Sequence, residues 1–339
     1  MSGIYGKMIK VSIFGESHGP AIGLVVDGLP PGMAIDEEQI KMEMARRAPG
    51  QNELTSPRQE SDKFVIQSGV FEGKTTGTPL CALIANSDTR SGDYSYLKDV
   101  MRPGHADFGG TVKANGFNDY RGGGHFSGRL TAPLVFIGAL SKQILVECGI
   151  VVGAHIAAIN GIEDDLFEPV TVNDELLENL HEQNFPVLNA EQGTKMQEAI
   201  RQAKSVGDSV GGIVECAVLG MPVGVGEPFF DSLESTLSHA IFSVPAVKAL
   251  EFGDGFKMAN LRGSGANDAM YYDDSTVKTK TNHNGGVVGG LTNGMPIVFR
   301  AAFKPTPSIS LSQESVNVKE QTNASLVIRG RHDPCIVPR

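Results

Sequence analysis

No two of the four cysteines form a C-x-x-C pair; Cys81, Cys148, Cys216 and Cys335 stand far apart. That spacing excludes a disulfide framework and a zinc site, and predicts buried thiols in a reducing compartment. No apolar run approaches ~18 residues, so no membrane-spanning helix is expected. Residues 1–10 hold no apolar signal region, which makes the cytoplasm the default location. Positive charge is also short, with 29 Lys and Arg against 39 Asp and Glu and a formal net charge of −10. Such a balance argues against a general nucleic-acid surface, and any basic site must be a local concentration. A G-x-G-x-x-G in a strand–helix context is missing too, which excludes a Rossmann site. No metal centre is expected.

What is present suits a globular enzyme. The 339 residues are 40% hydrophobic and include 41 glycines, enough for a large core with many loops. No linker divides the chain, so residues 1–339 are read as one domain. Val- and Ile-rich runs predict strands over 64–71, 80–85, 151–157, 212–219 and 296–303. Helices are expected over 134–146, 174–182, 195–205 and 232–242. Another is expected from Asp36, with Gln39 completing a capping box, to a stop at Pro49-Gly50. Mixed elements without strict βαβ alternation favour α+β.

Two segments carry the chemistry. Gly15-Glu16-Ser17-His18-Gly19-Pro20 joins apolar runs at 11–14 and 22–26. It is either a polar hairpin turn or a loop presenting a proton donor beside a hydroxyl and a carboxylate. Arg121-Gly122-Gly123-Gly124-His125-Phe126-Ser127-Gly128-Arg129 precedes the helix that contains Pro133. Three consecutive glycines lose backbone entropy and pack nothing, which suits backbone N–H groups facing an anion at a helix start. Arg121 and Arg129 are either solvated or forked donors for carboxylate and phosphate. Arg46 and Arg47 fall in the last turn of their helix, where the macrodipole favours them; the alternative is that they project into an anionic substrate site.

Taken together these segments resemble chorismate synthase along the whole chain. Arg46-Arg47-Ala48-Pro49-Gly50, Arg102-Pro103-Gly104-His105-Ala106-Asp107, Glu251-Phe252-Gly253-Asp254-Gly255-Phe256, Lys304-Pro305-Thr306-Pro307-Ser308 and Gly330-Arg331-His332-Asp333-Pro334-Cys335 extend the match. The resemblance implies a β-α-β sandwich, with helices between two antiparallel sheets, and a homotetramer. It implies a 1,4-elimination of phosphate from 5-enolpyruvylshikimate 3-phosphate that requires reduced FMN. No partner nucleic acid or membrane is implied.

Carried over position by position, the catalytic set is His18, His105, Asp333, Ser17 and Ser127. His18 is the expected general acid toward phosphate. His105 is expected beside the reduced flavin, with Asp333 assisting proton movement. FMN contacts fall on His125, Phe126, Ser127, Pro245, Ala246, Gly289, Lys304, Pro305, Thr306, Pro307, Ser308 and Arg331. Substrate anions fall to Arg46, Arg47, Arg102, Arg121 and Arg129. His155, His181 and His239 are expected to be ordinary strand or helix residues.

The chain departs from the family in places. His125-Phe126-Ser127-Gly128-Arg129-Leu130 replaces the usual Arg-Ser-Ser-Ala-Arg-Glu, and Pro245-Ala246 replaces Asn-Ala. Glu53 stands where some members carry an arginine tied to NADPH. A carboxylate there would repel a 2′-phosphate, which implies an external source of reduced flavin. Family members continue beyond the motif that closes this chain. Two other readings remain: a non-catalytic flavin-binding module, and a metal-independent phosphohydrolase.

Overall fold

The computed structural model describes residues 3–50, 53–56, 60–87, 96–328 and 332–339. Its first sheet runs β1 (Ile4–Tyr5), β2 (Lys10–Gly15), β3 (Ala21–Asp27), β7 (Leu80–Ala85) and β4 (Phe64–Ser68), all neighbours antiparallel. β2 and β3 pair with Gly15 opposite Ile22, so residues 16–20 form the connecting loop. The strand expected over 64–71 breaks at Gly69, before a small hairpin of β5 (Val70–Phe71) and β6 (Lys74–Thr75). Gly69 has φ +85° and lies so close to the neighbouring strand that a Cβ would sit 2.4 Å from the Leu80 Cα.

Period-two alternation sends Ile22, Leu24 and Val26 of β3, and Leu80, Ala82 and Ile84 of β7, to one face, all fully buried. They pack against Ile40 and Met44 of α1 (Glu37–Arg47) and Phe136, Ala139 and Leu140 of α3 (Thr131–Glu147). Asp36 caps α1, its carboxylate accepting from the Glu38 and Gln39 backbone N–H groups. The reciprocal half of the expected capping box goes elsewhere: the Asp36 N–H donates to Gln143 Oε1 of α3 at 3.0 Å. Side-chain packing of two helices has displaced a purely local motif.

The second sheet runs β11 (Val247–Phe252), β16 (Ile297–Phe303), β10 (Gly212–Leu219), β8 (Val151–Ile159) and β9 (Ile162–Glu163), again antiparallel. α4 (Asp174–His181) and α5 (Ala190–Ser205) cover it through Leu177 and Leu180, and Met196 and Ile200. α5 starts before the expected residue 195 because Asn189 caps it. Glu43 of α1 joins the helix pairs: it accepts from Lys142 of α3 at 2.6 Å and Arg46 at 3.1 Å, and lies 3.8 Å from His181 of α4. Helices thus lie between two antiparallel sheets, the α+β sandwich expected.

One row of side chains crosses the second sheet. His155 of β8 opposes Glu215 of β10, Glu215 opposes Arg300 of β16, and Arg300 opposes Glu251 of β11. The contacts are 3.0, 3.2 and 2.8 Å. His155 is an unremarkable strand residue in sequence, yet it lies fully buried between Glu215 and Asp164.

The remaining elements surround these layers. They are α2 (Asp107–Lys113), α6 (Leu233–Ile241), α7 (Gly263–Ala266), β12 and β13 (Met270–Asp273, Thr276–Thr279), β14 and β15 (Val287–Val288, Leu291–Thr292), and β17 and β18 (Ser312–Asn317, Thr322–Val327). Among the described residues one helical run, Arg121–Glu147, is long and apolar enough to cross a membrane by length and composition. Its first turn is broken by three left-handed glycines, and Ala132, Phe136, Ala139 and Leu140 bury one face in the first core. It reads as a core helix.

Candidate active site

The β2–β3 loop carries Ser17, fully buried, and His18, 9% exposed. The Ser17 N–H donates to the Gly124 carbonyl at 3.1 Å, docking this loop onto the triple-glycine turn. Gly122, Gly123 and Gly124 have φ of +59°, +86° and +54°, a region L side chains avoid. A Cβ on Gly122 would lie 2.4 Å from the His18 Cε1 and Nδ1 and 2.9 Å from Ser17 Oγ. The glycines therefore permit contact with the Ser17-His18 pair as well as the turn itself. His125 Nδ1 lies 2.9 Å from the Gly15 carbonyl and fastens the other side of the loop.

His105 lies against the 304–308 segment that follows β16. Its Nε2 is 2.7 Å from Ser308 Oγ. Lys304 Nζ donates to the Gly104 carbonyl, and the Lys304 N–H donates to the Ala246 carbonyl at 3.0 Å. His105, Pro245–Ala246 and residues 304–308 thus converge. Ala246 holds a left-handed φ of +74°, which costs an L residue about 1–2 kcal/mol. Burial, reinforced by the Arg102 charge, pushes the His105 imidazole down to about 3, so it is neutral at pH 7.

Among the described residues each site arginine has a carboxylate partner. Arg102 places Nε and Nη2 on Asp107 at 2.8 Å each, and Arg121 does the same on Asp119 at 2.8 and 2.7 Å. Burial raises the Asp107 carboxyl, but the Arg102 guanidinium outweighs it and holds it low. These side-on pairs leave Nη1 of each arginine facing away from its carboxylate. Arg47, 5% exposed, pairs with Asp62, and its Nε donates to Thr131 Oγ1 at 3.2 Å. Burial and then the neighbouring Arg339 charge lower the Arg47 guanidinium to about 10. Arg129 also pairs with Asp62, and donates to Asn86 Oδ1 at 3.0 Å and the Ala85 carbonyl at 3.2 Å. All three of its nitrogens are engaged within the protein.

Asp333 accepts from the Ser56 N–H at 2.7 Å and from Arg339 Nη1 at 2.8 Å. Ser127 Oγ accepts from the Arg129 N–H at 3.2 Å, capping the short turn that leads into α3. The Phe126 ring lies over Gly110 of α2. Leu130, in place of the usual Glu, packs into the first core. Arg46 stands apart, on a partly exposed side of α1 toward α4, with Glu43 and with His181 Nδ1 at 2.7 Å. Gly289 sits in the β14–β15 turn, and Arg331 lies outside the described residues. Glu53 is paired with Arg201 of α5 at 2.6 Å.

Among the buried polar atoms without a hydrogen-bond partner in the described residues are Ser17 Oγ, Thr306 Oγ1 and His332 Nε2. Buried polar groups are rarely left unpaired, so these atoms fit a bound polar ligand. Thr306 lies in the segment that meets His105, and the Arg102 charge acts on both His105 and His332. Hydroxyls, an imidazole and Lys304 suit the phosphate and polar ring edge of a flavin mononucleotide. The sequence alone gives no role to Asp62, Asn86 or Asp119. Only the tertiary contacts single out Asp62 and Asn86, whereas the Asp-x-Arg spacing of Asp119 and Arg121 was visible.

A family model described as chorismate synthase matches residues 9–339. A chorismate synthase of Dehalococcoides mccartyi (strain ATCC BAA-2100) is 47% identical over 339 residues, covering 100% of this chain and 92% of that protein. One from Korarchaeum cryptofilum is 45% identical over 338 residues, covering 99% and 92%. One from Methanosarcina mazei is 45% identical over 336 residues, covering 99% and 91%. A crystal structure of a chorismate synthase superposes with a TM-score of 0.72 at 29% identity, covering 89% of this chain and 85% of that one.

Proposed function

The chain belongs to the chorismate synthase family, and from that premise we propose how its residues carry the family's reaction. It is a carbon–oxygen lyase of aromatic amino-acid biosynthesis that eliminates phosphate from 5-enolpyruvylshikimate 3-phosphate to give chorismate. The observation that carries the site assignment is the docking of the Ser17-His18 loop onto the triple-glycine turn, beside the cluster of Arg102, His105 and Ser308.

In this reading the substrate's two carboxylates and phosphate are met by Arg47, Arg102 and Arg121, whose forked donors are fixed by Asp62, Asp107 and Asp119. Arg129 has no free nitrogen and serves to hold its neighbours. His18 donates a proton to the departing phosphate oxygen. Ser17, Thr306, Ser308, Lys304, His105, Pro245–Ala246, His125–Ser127 and Arg331 would hold FMN. Reduced FMN, when bound, supplies transient electron density to the departing bond and is not consumed over the cycle. His105, neutral beforehand, takes up a proton more readily once an anion lies beside it. Asp333, held by Ser56 and Arg339, is fixed for proton movement.

One domain, a cytoplasmic location and a homotetramer complete the proposal. Phe229, Phe230, Phe256 and Tyr272, 77–92% exposed, provide the apolar surface that subunit contacts need. Glu53 argues against NADPH as a direct reductant, so reduced flavin comes from outside. A non-catalytic flavin module would have no need of a buried His18 or of arginines each held by a carboxylate. The test is anaerobic turnover with a small amount of photoreduced FMN and excess substrate. Many chorismates per flavin are expected; a yield stopping at one would reject the elimination cycle.

A further inference from the structure

Asp62 is 2% exposed and holds a left-handed φ of +48°. Its two carboxylate oxygens face different arginines, Oδ2 toward Arg47 and Oδ1 toward Arg129. Asp62 lies between two cations, offsetting their mutual repulsion and holding Nη1 of each, while buried Glu60 lies 3.8 Å from Arg129 Nη2. From Arg129 the contacts continue. Its Nε donates to Asn86 Oδ1 at 3.0 Å, and Asn86 Nδ2 donates to the Glu16 carbonyl at 3.0 Å and the Gly19 carbonyl at 2.8 Å. The Asn86 N–H donates to the Pro20 carbonyl at 3.2 Å. Asn86 thus has its amide hydrogens and its oxygen all engaged. An unbroken series of hydrogen bonds runs from the end of α1, through residue 62 and the end of β7, to the loop bearing Ser17 and His18.

We infer that Asp62 is a positioning residue for the elimination, setting Arg47 directly and the His18 loop through Arg129 and Asn86. The inference rests on the reading that Arg47 and His18 face the substrate. Its consequence is a division of effects. Loss of the Asp62 charge frees Arg47 directly and the loop indirectly, so it acts on substrate binding and, less, on turnover. Loss of the Asn86 donors frees only the loop and acts on turnover.

The test compares Asp62→Asn, Asn86→Asp and Arg47→Lys with the parent by anaerobic turnover, FMN binding from fluorescence quenching, and melting temperature. Asn86→Asp still accepts from Arg129 but sets lone pairs against two carbonyls. A displacement on the order of 1 Å can cost up to ~10²-fold. Asp62→Asn should raise KM about tenfold or more with FMN affinity within about twofold of the parent. Asn86→Asp should lower kcat about tenfold or more with KM within about twofold. Parental kinetics in Asp62→Asn overturn the inference. So does a common loss of kcat, substrate affinity and FMN affinity in both variants, which marks a merely structural role. If Asp62→Asn does not fold, Asn86→Asp decides, and a parental kcat there overturns it. Unchanged substrate affinity in Arg47→Lys rejects the underlying site reading. Impaired Arg47→Lys beside a parental Asp62→Asn rejects the positioning role alone.

Discussion

Two adjacent glycines separate backbone strain from disturbance of His18. Gly122 and Gly123 both hold left-handed φ, +59° and +86°, so alanine at either costs about 1–2 kcal/mol in backbone conformation. Their surroundings differ. At Gly123 the nearest atoms to a new Cβ are Arg102 Nη2 at 3.5 Å and Ser127 Cβ at 3.8 Å, ordinary contacts. At Gly122 the Cβ would lie 2.4 Å from two atoms of the His18 ring. The ring must retreat by about 1 Å to reach van der Waals distance, a displacement that can reduce turnover by up to ~10²-fold when the group acts in the chemistry. Gly123→Ala should therefore show only the small backbone loss by urea or thermal melts, and Gly122→Ala that loss plus about 1–3 kcal/mol for the overlap. Gly122→Ala alone should lose on the order of 10²-fold in anaerobic turnover with reduced FMN. Equal turnover in the two variants would refute the role given to His18.

Two further outcomes follow from buried groups. The free imidazole titrates near 6.5 and the folded His105 at about 3. Below pH 6.5 the unfolded chain takes up a proton that the folded chain refuses, so stability falls as pH drops toward 3, by up to about 1.4 kcal/mol per pH unit. His105→Asn should flatten that part of the stability curve in urea melts at stepped pH; an unchanged slope rejects a buried neutral imidazole. Burial pushes the Cys335 thiol up to about 12, whereas Cys148 is exposed. An aromatic disulfide reagent at pH 8 should label Cys148 at once and Cys335 only in denaturant; equal rates would contradict the burial.

The parts legible in sequence were those governed by local rules. The 80–85 and 212–219 strands appear as expected because each is a mostly apolar run of strand length with no glycine or proline to break it inside. The run at 64–71 misled because Gly69 reads as a weak strand residue, while its close approach to Leu80 is a tertiary fact. The start of α5 was missed because Gly193 and Thr194 dilute its helical pattern, although Asn189 stood ready as a cap. In the site, glycines and arginines announced themselves through motif spacing. Asp62 did not, because an aspartate in a polar stretch looks like solvated surface until Arg47 and Arg129, 15 and 67 residues away, close on it. Arg46 and Arg47 looked equivalent, but only one side of α1 faces Asp62.

The row of His155, Glu215, Arg300 and Glu251 has a consequence for alignment. Apolar side chains tell a strand which face to bury, and that message is unchanged when the strand slides by two residues. Around Arg300 the neighbours on the same face are Val298 and Ala302. A two-residue slide of β16 would satisfy the hydrophobic pattern, yet set a valine or an alanine between Glu215 and Glu251. Both carboxylates would then lose their cation, Glu215 while buried, which is strongly unfavourable. The row therefore works as an index mark across the sheet, distinguishing one pairing from alternatives that greasy surfaces alone would accept. Because β16 leads directly into residues 304–308, the same mark fixes how far along the sheet the segment that meets His105 emerges.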